Sequence, residues 1–518
     1  DEPDGLFEAP ISNLAQQAKK LNKWISETTT GDRDDLPEGI DQRLWRGVSV
    51  TGRECIGAQK CSFAEDCFSE IAKENARSSD LIITNHALLA IDAIEGLPVL
   101  PDHVAVIIDE GHELIDRATG AVSKQISPAI IQRCANGAKR FIELEDLQEI
   151  DDAAEALALI LDETQPGRIV EISNALAGGL ARVRDALNNA IGEIRKNKPD
   201  ASELEENSFY QRARGELDEV FQAVAAMLQF DEYSVLWIDE SRRQILNLAP
   251  LSVAGILKEN LFDKKPVVLT SATLKVGENF DSLTHNLGLS ESDVTTLDVG
   301  SPFDFQKQGI LYVAKDLPAP GRDGLSQAAL TEMRELVEAM GGRALLLMSS
   351  WRAVTQTEAA LADLDLNLLV AKKGEPVSFL IEEFLQDETS VLLGTIGLWQ
   401  GVDIPGSSAS LVVIDKIPFP RPDDPIISGR SALADSQGKS GFASVALPKA
   451  ALLLAQGVGR LIRSNEDKGM VAVLDPRLVN SNYSKRLLKS LPPFWLTTDP
   501  KEARSSLARL KEEIENLS

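Results

Sequence analysis

Apolar residues gather in short unbroken runs at several points along the chain. Val104–Ile108 (VAVII) and Val267–Leu269 are two of them, and Ala344–Met348, Ser390–Leu393 and Leu411–Ile414 continue the pattern. Runs of this kind predict strands buried on both faces of a parallel sheet. A further short strand is expected at the start of Asp80–Ala90 (DLIITNHALLA), and another at Ser234–Ile238. Between them the period changes. Ile172, Leu176, Leu180, Val183, Leu187, Ile191 and Ile194 recur at steps of four and three, and Leu217, Val220, Phe221, Val224, Met227 and Leu228 repeat the theme. That period predicts helices packed face to face, and so an all-helical insert between sheet-forming segments. Gly300–Asp304 (GSPFD) reads as a linker. Beyond it, strands alternating with helical stretches predict βαβ units and a second parallel sheet.

Composition narrows this picture. The chain has 518 residues, 43% of them hydrophobic, enough for roughly three or four domains with real cores. It contains no continuous apolar run of membrane-spanning length and no signal peptide. Its 53 basic and 80 acidic side chains leave a net charge of −27. That balance speaks against a broadly basic nucleic-acid surface but leaves room for a local basic groove. An acidic exterior suits a soluble, cytoplasmic protein. Three of the four cysteines, Cys55, Cys61 and Cys67, fall within thirteen residues, while Cys134 stands alone. A disulfide framework would be odd in so long a chain with so few cysteines, so the trio reads as a metal site in a reducing compartment.

Four segments carry candidate chemistry. Asp109-Glu110-Gly111-His112 follows the VAVII run directly, which puts two carboxylates at the carboxyl end of a strand, where ligands bind in open α/β folds. One carboxylate can hold Mg²⁺ and the other can activate a water; the plainer reading is an acidic turn. Leu269–Leu274 (LTSATL) places small hydroxyl residues at another strand end, suited to relaying hydrogen bonds or to capping a helix. Gly394–Gly406 (GTIGLWQGVDIPG) sets four glycines, Gly394, Gly397, Gly401 and Gly406, around Asp403, either for close backbone approach or as a plain turn. In Gln456–Arg463 (QGVGRLIR), Gln456, Arg460 and Arg463 are spaced to share one face of a helix starting near Pro448, and two guanidiniums on one face suit phosphate. A solvated basic stripe is the alternative.

Taken in this order, the segments resemble the superfamily 2 helicases of the DinG/XPD type. DEGH resembles motif II, TSATL motif III, LWQGVDIPG motif V and QGVGRLIRS motif VI. ITNHALL, the SPFD linker, Asp415–Pro425 (DKIPFPRPDDP) and Asp475-Pro476-Arg477 strengthen the likeness, which spans roughly residues 50–495. The resemblance implies an α/β fold of two RecA-like parallel-sheet domains, the first carrying an iron–sulfur insert and an all-helical arch. The expected division is 1–75 for the iron–sulfur region, 76–117 and 236–300 for the first RecA-like domain, 118–235 for the arch, and 301–518 for the second RecA-like domain.

Roles follow from the same resemblance. Asp109 would hold Mg²⁺, Glu110 would activate the attacking water, and His112 would couple the site to motif VI. Ser271 and Thr273 would link nucleotide state to DNA. Gly401 would lie near the nucleotide, Asp403 near its ribose or the domain interface, and Gln456, Arg460 and Arg463 would reach the γ-phosphate of ATP. Gln400 stands where many relatives carry Glu. Cys55, Cys61 and Cys67 would ligate a [4Fe–4S] cluster, with the fourth ligand expected upstream of Asp1. The implied activity is an ATP-dependent 5′–3′ DNA helicase in DNA repair and replication. Its partners would be single-stranded or forked DNA and RNA–DNA hybrids, with no membrane involved and the protein a monomer. An inactive helicase relic that binds DNA is the main rival, and an attached exonuclease a second.

A phosphate-binding loop of the form G-x-x-x-x-G-K-[ST] is expected in such a motor. The single Gly-Lys-Ser, Gly438–Ser440, has Leu433 at the leading glycine position and no strand before it. It reads as an ordinary loop, and the phosphate loop is expected upstream of Asp1. Retention of both motif II carboxylates and both motif VI arginines favours a motor over a relic.

Overall fold

The computed structural model describes residues 13–36, 40–49, 55, 57–58, 61, 63–95, 99–200, 204–240, 244–275, 279–321, 324–373, 377–398 and 409–516. Its contacts divide it into two units, residues 1–106 with 114–267, and residues 107–113 with 268–518. The strands among the described residues are β1 (Val106–Ile108), β2 (Lys124–Ile126), β3 (Gly167–Ile169), β4 (Ser234–Ile238), β5 (Leu246–Pro250), β6 (Val267–Leu269), β7 (Gly309–Val313), β8 (Ala344–Met348), β9 (Asn367–Val370), β10 (Ser390–Thr395), β11 (Leu411–Ile414), β12 (Gly469–Val473) and β13 (Trp495–Thr497).

In the first unit, helices Pro128–Ala138, Leu144–Glu163, Asn174–Lys196 and Leu204–Leu228 surround one apolar core. The period in the sequence is the packing face: Leu176, Leu180, Val183, Leu187, Ile191 and Ile194 are buried, as are Leu217, Val220, Val224 and Met227. Burial of each such side chain contributes about 2 kcal/mol. Serine caps start two of these helices, with Ser127 Oγ accepting from Ile130 N and Ser173 Oγ from Leu176 N, each at 3.2 Å.

The expectation of a wholly helical insert needs a correction. An antiparallel sheet of order β2-β5-β4-β3 lines the same core, and β2 and β3 lie inside the insert. They cover the two edges of the β4–β5 pair, which would otherwise present unpaired backbone groups.

Two strand expectations also change. Residues 81–85 form no strand, because the side chain of Asn85 accepts from Leu88 N (2.8 Å) and starts the helix His86–Glu95 instead. β1 is shorter than the VAVII run, and Val104 and Ile107 are exposed. Its partner among the described residues is β6.

The second unit holds a parallel sheet of order β13-β7-β12-β11-β8-β10-β9. Its central strands are apolar throughout because both faces are covered. Leu345, Leu347, Val412, Ile414, Val471 and Val473 face one core with helix Leu447–Val458. Leu346, Met348, Leu411, Val413, Met470 and Ala472 face the other, under helices Gln327–Met340, Trp351–Leu361 and Pro500–Glu515. No helix among the described residues is long and apolar enough to cross a membrane.

Candidate nucleotide-hydrolysis site

β1 and β6 are tied together just past their ends. Thr270 N donates to Ile108 O (2.8 Å) and Gly111 N to Thr270 O (3.0 Å), which sets Asp109–His112 beside Thr270–Thr273. A Cβ on Gly111 would meet Leu269 Cδ2 at 2.9 Å and Leu269 Cβ at 3.2 Å, so a side chain there would displace Leu269. Glu110 holds a φ of +48°, a left-handed conformation that costs a non-glycine residue energy and recurs at functional sites. Its N–H donates to the Asp109 carboxylate (2.9 Å).

From this turn a polar line runs inward. Ser271 Oγ donates to Glu110 Oε2 at 2.5 Å. His112 Nδ1 lies 3.1 Å from Ser271 Oγ and 3.3 Å from Glu110 Oε2. Thr273 N donates to Ser271 Oγ (3.1 Å) and keeps that hydroxyl in place. Gln456 Nε2, on the helix Leu447–Val458, donates to His112 Nε2 at 2.6 Å. With Nε2 accepting, the network assigns the ring proton to Nδ1, facing Ser271 and Glu110. The His112 side chain is 6% exposed and that of Glu110 55%. The carboxylate is therefore open to a substrate while the ring behind it is shielded. Gln456 Oε1 is buried with no hydrogen-bond partner among the described residues.

The arginines arrive differently from the sequence expectation. The helix ends at Val458 with Gly459 as its C-cap, so Arg460 and Arg463 do not share a helical face with Gln456. Leu461 and Ile462 drop into the core and turn the chain. Burial pulls the pKa of both guanidiniums below the usual arginine range, while the Glu110 charge opposes this at Arg460 and the Asp467 charge at Arg463.

Sequence reasoning missed what anchors this loop. Asp467, itself buried, accepts from Arg463 N and Ser464 N, both at 2.7 Å, and from Ser464 Oγ. Gln308, just ahead of β7, donates to the carbonyls of Ser464 (2.9 Å) and Asp467 (3.1 Å). Asp467 was within reach as an acid four residues past an arginine, whereas Gln308 had no local signal. Gly401 and Asp403 lie outside the described residues. Gly438–Ser440 follows the helix Pro425–Ser436 rather than a strand.

A family profile described as the helicase C-terminal domain matches residues 333–494. The ATP-dependent helicase DinG of Mycobacterium tuberculosis is 41% identical over 513 residues, covering 96% of this chain and 77% of that relative. The chain belongs to the DinG helicase family. The ATP-dependent DNA helicase YoaA of Escherichia coli K12 is 31% identical, covering 94% of the chain and 78% of its own length. A solved XPD helicase shares the fold at 16% identity with a TM-score of 0.51, covering 89% of this chain and 79% of that one. The two-domain α/β architecture with parallel sheets is thus the XPD-like helicase fold.

Glu110, Ser271, His112 and Gln456, from the segments that resemble motifs II, III and VI, are joined by hydrogen bonds in this structure. The cysteine trio is less complete. Cys55, Cys61 and Cys67 are partly exposed free thiols, a donor set whose chemistry suits a thiolate-bound cluster. Backbone turns from Ala64 N to Cys61 O and from Cys67 N to Ala64 O bend the chain between two of them. The described residues nevertheless form no group of three or more metal-holding side chains. Cys134 is no fourth ligand: it is buried in the helical core, and burial pushes its thiol pKa up to about 12.

Proposed function

We propose that the chain is the ATP-driven motor of a DNA helicase. It would hydrolyse ATP, move 5′ to 3′ along single-stranded DNA, and open forked duplexes or RNA–DNA hybrids in DNA repair and replication, as a cytoplasmic monomer. The observation that carries this reading is the hydrogen-bonded line from Glu110 through Ser271 and His112 to Gln456. It joins a candidate water-activating carboxylate to the segment that bears Arg460 and Arg463.

Asp109 is the residue to hold Mg²⁺, which when bound neutralises charge on the phosphate oxygens. Ser271 and His112 engage Oε2 of Glu110, so Oε1 is the atom to accept a proton from the attacking water. Arg460 and Arg463, partly desolvated, would attract the γ-phosphate more strongly than exposed arginines. Gly401 and Asp403 complete the nucleotide side in this reading. The proposed division is 1–75, 76–117 with 236–300, 118–235 and 301–518 for the iron–sulfur region, first RecA-like domain, arch and second RecA-like domain.

ATP hydrolysis by the purified gene product, with and without single-stranded DNA, tests the motor. DNA should stimulate turnover, and Glu110→Gln should abolish it while sparing ATP binding. Arg460→Ala should cost on the order of a thousandfold. Turnover that survives Glu110→Gln would sink this assignment.

Cys55, Cys61 and Cys67 are proposed as ligands of a [4Fe–4S] cluster that would brace the segment around them. Anaerobically purified gene product should be brown with iron and sulfide in equal amounts, and Cys61→Ser should lose both. Stoichiometric zinc without iron would exclude the cluster.

A further inference from the structure

Phe419, Phe442 and Tyr483 form a triangle of rings in the second unit. Their centroids lie 5.4 Å apart for Phe419–Phe442, 5.3 Å for Phe442–Tyr483 and 5.7 Å for Phe419–Tyr483. Phe419 and Tyr483 lean on the core beneath, while Phe442 stands 44% exposed. The Arg477 guanidinium lies 5.6 Å from the Phe419 centroid, held there by Asp475 at 2.9 and 2.7 Å. Arg486 Nη1 reaches the carbonyl of Ala443, next to Phe442 (3.4 Å). The two supporting rings are thus packed against the core while the outermost ring is partly open.

Placement separates this triangle from the hydrolysis site. Phe419 follows the carboxyl end of β11, and Arg477 and Tyr483 follow that of β12. Arg460 and Arg463 precede the amino end of β12. In a parallel sheet these are opposite edges, one five-residue strand apart, about 16 Å. Charge sets the triangle apart as well. Residues 436–465 and 476–498 contain no Asp or Glu, in a chain with 80 acidic side chains and a net charge of −27. Lys439, Lys485, Arg486 and Lys489 are exposed within or beside these ring-bearing segments. Gly438–Ser440, which is no phosphate loop, leads directly into Phe442 with Gly438 at φ +74°.

An open aromatic face rimmed by cations, with its neighbouring carboxylates Asp435 and Asp475 engaged by Gly441 N (2.8 Å) and the Arg477 guanidinium (2.7 Å), has the chemistry to hold single-stranded nucleic acid, with stacking for a base and charge for the flanking phosphates. We propose that Phe442, braced by Phe419 and Tyr483, is a base-stacking platform for single-stranded DNA at the carboxyl edge of the second sheet. This rests on the helicase reading and names a contact of the motor with its track.

The test measures fluorescence anisotropy of the gene product with two labelled strands of equal length, one of thymidines and one abasic throughout. Phe442→Ala should weaken the thymidine strand about tenfold, the loss of one stacked base, and leave the abasic strand within about twofold. Phe442→Trp should retain affinity for the thymidine strand, which separates stacking from a folding defect. Unchanged thymidine binding in Phe442→Ala, or an equal loss on both strands, overturns the platform alone. Failure of the unaltered protein to bind either strand overturns the helicase reading and the platform with it.

Discussion

Asp415 sits at the end of β11 with its carboxylate buried. It accepts from Ser349 N (3.0 Å), Ser349 Oγ (2.6 Å) and Lys416 N (2.8 Å). Burial still wins and lifts its pKa from 3.8 to about 6, against the lowering by those bonds. A folded-state pKa above the unfolded one means that the folded chain takes up this proton more readily. The stability it contributes is fully present below about pH 4 and is lost as pH rises through about 6, a loss of about 3 kcal/mol. Asp415→Asn should flatten that part of the curve, read as the denaturant midpoint between pH 4 and 7. A slope that persists in the variant would place the titration elsewhere. The placement of single residues was unevenly legible from sequence. Glu110, His112, Ser271 and Gln456 could be named from motif order, and the structure joins them through hydrogen bonds. Gln308 could not be named, because it acts on a loop 156 residues away and carries no chemistry of its own.

Elements were legible where both faces are buried. β8 and β11 fall where their apolar runs end because covered faces leave no place for polar residues. The pattern failed where a boundary depends on a cap: Asn85 turns an expected strand into the approach to a helix, and Gly459 ends the helix before either arginine. Gly111 marks another place where backbone space decides. An added methyl would press on Leu269, whose strand leads into Ser271, and so push apart the two strand ends that the Glu110–Ser271 bond joins. Gly111→Ala should therefore lower kcat for ATP hydrolysis by roughly ten- to a hundredfold, since displacements near 1 Å cost on that scale. KM should move much less. Full activity in this variant would mean that the tight packing at Gly111 does not position Glu110.

At the scale of the whole molecule, a net charge of −27 should repel DNA. The distribution decides otherwise, because two long stretches without carboxylates meet at the carboxyl edge of the second sheet and carry Lys439, Lys485, Arg486 and Lys489. Binding of a single strand releases counterions in proportion to the phosphates contacted, with a slope of about −0.7 per contact in a plot of log affinity against log salt. If each of these four cations meets one phosphate, the slope is about −3. Each substitution to alanine should make it shallower by about 0.7, whatever the base sequence. The acidic remainder of the surface, screened over about 8 Å at physiological ionic strength, should then slow encounter mainly at low salt. Affinity measured from 50 to 300 mM salt on a thymidine strand checks this. A slope near zero with tight binding would mean that the strand is held without phosphate contacts, and the acid-free stretches would then have no part in holding it.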